Sequence, residues 1–233
     1  MTLEDLTPLQ REPVSAAVHR RLRAAILRGD VAPGEALPSE RALSDAFAVN
    51  RHAVREAIKR LQQARLVEVA QGGATRVLDW RRTGGIELLL DVASARPEQP
   101  DRDVVRAILE FRAAIGADVA RRCAQRAPAA ERARAAAMAQ EVLDGRLEPD
   151  ARLERYEELW QVVVDGAANL GYRLAYNTLL DGQHLVAPAA ALVAPEMDDG
   201  ARLRALAGAL LDADPERAHA AARALLEPAA EAA

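Results

Sequence analysis

Residues Leu37 to Leu66 read LPSERALSDAFAVNRHAVREAIKRLQQARL, and this stretch decides the fold. It holds two short helical patterns separated by a tight break. Leu43, Ala46 and Phe47 recur at i, i+3, i+4 in the first, and Val54, Ile58 and Leu61 at i, i+4, i+7 in the second. Ser39 is placed to cap the first helix and Asn50 the second, since each side-chain oxygen can accept an orphan backbone N–H. With Ala48-Val49-Asn50 between them, the pair is expected to form a helix-turn-helix.

The outward face of the second helix carries the functional signal. At about 100° per residue, His52, Arg55 and Lys59 share one arc, with Arg51 beside them in the first turn. Residues 41–65 carry six Lys/Arg against two acids. A recognition helix meets base edges with its N-terminal residues, and arginine there can reach guanine or phosphate. A solvated helix face is the plain alternative, so the stripe alone does not decide for DNA.

Whole-chain properties set the frame. The 233 residues suffice for one or two domains, each with a core. Half are apolar but only 3% aromatic, and alanine is abundant, a mixture that favours close-packed helices. Net charge is −4, yet residues 1–80 carry 12 Lys/Arg against 10 Asp/Glu, so the acidic excess lies in the remainder. Cys123 is the single cysteine, which excludes an intramolecular disulfide and fits a cytoplasmic protein. The start, MTLEDLTPLQREP, lacks the basic-then-apolar order of a signal peptide, and the apolar run 185–195 is about half a membrane span. No membrane association is expected.

In chain order, Ala17, Val18, Leu22, Ala25 and Ile26 predict a first helix over Val14–Arg28, ended by Gly29. Residues 30–34 form a turn into Leu37-Pro38. Leu66–Val69 and Thr75–Leu78 alternate as two strands about a Gly72-Gly73 tip. Asp79–Gly85 reads as a boundary packed by Trp80. Beyond it every segment reads as helix: Ile86–Ala95, Arg102–Gln125, Pro128–Leu143, Ala151–Ala168, Tyr172–Val193, Gly200–Leu211 and Pro215–Ala230, with a break at Pro195 to Gly200. The expected fold is mainly α. A winged helix-turn-helix with a small β-hairpin wing occupies residues 1–79, a linker and connecting helix 80–100, and an all-helical bundle 101–233.

Residues 26–79 resemble the winged-helix domain of the GntR family of bacterial transcription regulators. The resemblance is carried by ILRGDVAPGEALPSERALSDAFAVNRHAVREAIKRL, with its Leu-Pro-Ser-Glu-Arg and Val-x-Arg-x-x-Val-Arg-Glu-Ala, and by the wing LVEVAQGGATRV. It implies DNA-contact roles for Arg41, Asn50, Arg51, His52 and Arg55 and for Gln71 and Gly72 in the wing. Two positions depart from the family: Asn50 replaces the usual Ser or Thr, and Arg65 the usual Gly before the first wing strand. The resemblance also implies a homodimer on a palindromic operator in double-stranded DNA.

The second half resembles, more weakly, the effector domains of the FadR subfamily, through its helix pattern, RAILEFRAAIGADVARR and DGAANLGYRLAYN. Many members hold a divalent metal with one Asp and three His. The matching positions are Tyr156, Trp160 and, to within about a residue, Leu203 and Leu225, and only two histidines, His184 and His219, lie beyond residue 80. A metal-free domain without a cofactor is expected. Tyr156, Trp160, Tyr172 and Tyr176 cluster where aromatics are otherwise rare, either as a filled core or as the wall of an apolar ligand pocket. Arg112 could meet an anionic head group or could simply be paired.

The junction QGGATRVLDWRRTGGIELL resembles the acyl-CoA-responsive branch, which makes a fatty acyl-CoA the leading effector. The C-terminal ALLEPAAEAA departs from that branch in lacking its Gly, Ser and Trp. A small organic acid held by Arg112 or a tyrosine hydroxyl is the alternative. No Gly-x-Ser-x-Gly, His-Glu-x-x-His, Walker loop or dinucleotide fingerprint is present, so no enzyme is expected. The rival from another class is a helical ligand-binding or scaffold protein that does not bind DNA.

Overall fold

The computed structural model describes residues 13–70, 73–94, 102–186 and 189–232, with the side chains of 90, 94, 181–192 and 228–232 set aside. Two compact units divide the chain at Ala95/Arg96, within the 80–100 stretch read as a connection.

The first unit is built on three helices, α1 (Val14–Arg28), α2 (Glu40–Phe47) and α3 (Arg51–Gln63). Val18, Leu22 and Ile26 of α1 meet Leu43 of α2 and Val54, Ile58 and Leu61 of α3 in one core. Fully burying a side chain of this size contributes about 1.5–3 kcal/mol, so the α3 stripe, with Val54 and Leu61 wholly covered, anchors the unit. Both expected caps form. Ser39 Oγ accepts from the Ala42 amide at 3.2 Å, and Asn50 Oδ1 from the Ala53 amide at 2.8 Å.

The α2 face differs in one position from its periodic reading. Ala46 is exposed, whereas Ser44 is buried with its hydroxyl donating to the Val49 carbonyl. The α2 helix ends on Ala48 at φ 53°, and the Val49 amide reaches back to the Ser44 carbonyl at 3.1 Å. That left-handed closure turns the chain sharply into α3.

Strands β1 (Val67–Val69) and β2 (Thr75–Val77) pair antiparallel, Val67 opposite Val77 and Val69 opposite Thr75. Residues expected to be only a turn add a third edge. Ala36 bridges Arg76, with the Leu37 amide on the Thr75 carbonyl and the Val77 amide on the Glu35 carbonyl, at 2.8 and 2.9 Å. Pairing there satisfies groups that a bare hairpin edge would leave open.

A short helix α4 (Trp80–Thr83) and α5 (Leu88–Ser94) complete the unit. Trp80 packs against the core with the Arg81 guanidinium 4.4 Å above its ring, and Leu88 is buried in the same cluster.

The second unit is all helix: α6 (Arg102–Arg126), α7 (Ala129–Leu143), α8 (Pro149–Gly166), α9 (Leu170–Val186), α10 (Ala189–Asp198), α11 (Gly200–Leu211) and α12 (Pro215–Ala232). Alanine and glycine on the inward faces let the helices approach closely. A Cβ added at Gly116 of α6 would lie 2.4 Å from Leu226 of α12, and one at Gly166 of α8 2.7 Å from the Cys123 sulfur of α6. Within the helix expected over Tyr172–Val193 the described residues are helical, in α9 and α10, with 187–188 outside the described residues, and Pro195 lies inside α10 rather than ending it. The stop comes at Asp199, whose carboxylate accepts from the Arg202 amide at 3.0 Å and caps α11.

Candidate functional site

The first candidate surface is the N-terminal end of α3. Arg51 and His52 occupy its first two positions and Arg55 the next turn, all exposed, with no acidic residue in the first turn. A cation in the first turn of a helix opposes the helix dipole, so the placement of Arg51 brings α3 no stabilisation. Its return lies with an external anion, because free N–H groups and positive side chains there face the same way.

Arg55 is held in position. Its Nη2 donates to Glu40 Oε2 at 2.9 Å across the turn, and this bond lowers the Glu40 carboxyl below its ordinary range. Arg41 is exposed on α2, 3.9 Å from Asp45. Asn50 spends its carbonyl oxygen on the cap. Gln71 and Gly72 lie outside the described residues.

The second candidate site is a cavity of about 30 Å³ in the helical unit, lined by Arg112, Tyr156, Trp160 and Tyr176 and by apolar side chains including Ile115 and Val119. The Tyr156 and Trp160 rings meet edge to face at 6.5 Å. Arg112, on α6, is not free: its guanidinium grips the Glu196 carboxylate of α10 at both oxygens, with Nη2 to Oε2 at 2.8 Å. The Tyr156 hydroxyl donates to the same Oε2 at 2.5 Å. Burial opposes the charge on Arg112, but the Glu196 carboxylate outweighs it and holds the arginine more basic than usual. Burial, and then the nearby Glu196 charge, push the Tyr156 phenol well above its ordinary value. Both groups therefore keep their protons.

Comparison with known proteins adds to this geometry. Residues 14–77 match the family described as "Bacterial regulatory proteins, gntR family". The chain is 38% identical over 226 residues to the HTH-type transcriptional regulator Mce2R of Mycobacterium tuberculosis, covering 95% of this chain and 92% of that protein. It is 32% identical over 227 residues to an uncharacterized HTH-type transcriptional regulator of the same species, covering 96% and 90%.

The chain belongs to the GntR family.

Among solved structures, one described as "Lar controls the expression of the Listeria monocytogenes agr system and mediates virulence" superposes with a TM-score of 0.57 at 12% identity, covering 95% of this chain and 97% of that one. Streptococcus agalactiae GntR gives 0.50 at 19% identity, covering 94% and 100%. At such identities these likenesses show the fold alone. The protein is thus a GntR transcription regulator with a helix-turn-helix, not an enzyme. No helix among the described residues is long and apolar enough to cross a membrane.

Of the aromatic candidates in this GntR chain, Tyr156, Trp160 and Tyr176 converge on the cavity and Tyr172 does not. The Tyr172 hydroxyl instead donates to Asp118, a carboxylate also paired with Arg121. Tyr172 and Tyr176 share a face of α9 one turn apart, and at that different level Tyr176 reaches α8, its hydroxyl donating to the Glu157 carbonyl at 3.2 Å. The positions matched to metal ligands in relatives, Tyr156, Trp160, Leu203 and Leu225, are all buried in one core. Among the described residues no three His, Cys, Asp or Glu side chains gather as a metal site.

Two residues escaped the sequence reading. Glu40 orients Arg55, and nothing in a spacing of fifteen residues announces that pairing. Glu196 was hidden behind Pro195, taken as a helix stop. Its signal was available: it is the first charged side chain after His184 in an otherwise apolar stretch, where a lone acid needs a partner.

Proposed function

We propose that this protein is a homodimeric regulator of the FadR type that reads a palindromic operator through α3 and is controlled by a small apolar carboxylic acid or its derivative in the α6–α8–α10 cavity. The observation that carries the DNA reading is the exposed pair of cations Arg51 and Arg55 at the start of α3, with His52 beside them. Arg51 and Arg55 take base edges or adjacent phosphate, and Arg41, Asn50 and His52 support them. Gln71 and Gly72 are assigned to the wing contact by the family resemblance. Two such helices on a two-fold axis meet two half-sites at only one separation, so a ligand that favours one arrangement of the helical unit changes operator affinity.

The effector reading rests on a buried arginine and tyrosine on the lining of a mostly apolar cavity, a form suited to an acid with a hydrocarbon body. Within that class, a fatty acyl-CoA and a smaller organic acid are the two members, and the small cavity volume favours the smaller. Selection from a random double-stranded pool tests the DNA reading: an enriched palindrome supports it, and no enrichment sustains a scaffold role. Light scattering on the operator complex must give two chains per duplex. A monomer at micromolar concentration, with no dimer on DNA, removes the two-fold mechanism.

A further inference from the structure

Glu196 is the only buried carboxylate among the described residues, and its environment has the form of a ligand site already filled. Both of its oxygens are taken, by the fork of Arg112 and by the Tyr156 hydroxyl, the geometry in which arginine recognises a carboxylate. Arg112 and Tyr156 also line the cavity, whose remaining wall is apolar apart from Trp160, Tyr176 and Glu157. Trp160, on that same lining and 4% exposed, keeps its indole N–H buried beside the Tyr156 hydroxyl, with no hydrogen bond of good geometry. A donor so placed beside a guanidinium favours an acceptor-rich guest.

We infer that Glu196 is an internal stand-in for the effector's carboxylate: a free carboxylic acid with an apolar tail binds by taking its place on Arg112 and Tyr156, and the departure of Glu196 releases α10. The inference rests on the effector reading above and names the ligand class for that site. The exchange leaves Arg112 paired at its start and at its end, so no uncompensated buried cation persists.

The element that must move is suited to moving. In α10 (Ala189–Asp198), Pro195, without an amide N–H, removes one of the ladder bonds. Besides Glu196, its described polar tether is Arg152, which holds the Met197 carbonyl at 2.6 Å and Asp198 at 2.8 Å. A cavity of about 30 Å³ has room for about two waters, so any larger guest requires such a displacement. The mechanism also separates the two members of the effector class. A free acid has the carboxylate that the exchange requires, and an acyl thioester does not.

The test is calorimetric titration of the full chain with octanoate, octanamide, 1-octanol and octanoyl-CoA, for the wild type and for Glu196→Gln. Octanoate is expected to bind and the amide and alcohol not to. E196Q, which keeps the side-chain size but gives up its charge, is expected to bind octanoate about tenfold tighter or more. The double variant R112Q/E196Q is expected to lose that binding. Should E196Q fail to fold, Glu196→Asp retains the charge at shorter reach and must also tighten octanoate binding. Unchanged or weaker octanoate binding in the substituted chains, equal binding of octanamide, or no octanoate binding at all overturns the exchange. Binding of octanoyl-CoA or octanol without octanoate overturns the exchange alone, while the regulatory reading stands or falls separately on operator selection.

Discussion

Glu40, in the first turn of α2, holds the guanidinium of Arg55 on α3, with Nη2 and Oε2 2.9 Å apart. The bond crosses the turn of the helix-turn-helix, so the arginine is presented in one orientation before any DNA arrives. Pre-orienting a long side chain lowers the entropy cost of its contact with a base or phosphate. Arg51→Ala and Arg55→Ala are each expected to weaken binding to the selected operator about ten- to a hundredfold in a fluorescence-anisotropy titration. Neither side chain is on the buried Val54/Ile58/Leu61 stripe, so the melting temperature should barely move. Operator affinity equal to wild type in both variants would refute the assignment.

Breaking the pair between Arg112 and Glu196 strands a buried charge. Arg112→Met should cost about 3–5 kcal/mol of unfolding free energy in a urea titration. Substituting both, R112M/E196M, should recover most of that loss, because two apolar side chains need no partner. A single-variant loss below about 1 kcal/mol would mean that the pair is solvated.

Gly166 marks the closest approach of α8 to α6. An alanine there would place its Cβ 2.7 Å from the Cys123 sulfur and 2.9 Å from the Ala127 Cβ. Gly166→Ala is expected to destabilise by about 1–3 kcal/mol, with part of the loss returned by Cys123→Ala, which removes one of the two clashes. Equal losses with and without C123A would place the strain elsewhere.

Arg65 sits at φ 54°, closing α3 with the Leu66 amide on the Leu61 carbonyl and its own amide on the Gln62 carbonyl, both at 3.0 Å. The family's usual glycine adopts that conformation without steric cost, and arginine does not. Arg65→Gly should therefore stabilise the protein, by about 0.5–1 kcal/mol after the greater freedom of glycine in the unfolded chain is counted. A lower denaturation midpoint would show that the Arg65 side chain contributes more than its backbone costs.

The same position explains where helix ends were legible and where they were not. Gly29 ended α1 as read, with its amide on the Ile26 carbonyl at 3.0 Å. Ala48, Arg65, Ala168 and Ala213 all adopt positive φ. At Ala48, Arg65 and Ala213 they make the glycine type of helix closure without glycine, so composition gave no warning there. Proline misled in the other direction, because Pro195 sits inside α10, where packing outweighs the missing amide.

The sequence by itself determined what depends on neighbours within a turn or two of chain. It set the Ser39 and Asn50 caps, the Val54/Ile58/Leu61 stripe, the two hairpin strands and the exposed cations of α3, since periodicity and capping are local. Only the tertiary structure decided which polar groups are consumed inside. Arg112 was legible as an arginine on a long helix, either open to an anion or paired, and its partner Glu196, 84 residues away, is what the fold supplied. Tyr172 and Tyr176, four residues apart, went to different partners, Asp118 and the cavity, for the same reason. A helical pattern fixes the face on which a side chain lies. What meets that face is settled by packing helices distant in sequence, where every buried charge must find a counter-charge or a hydrogen bond.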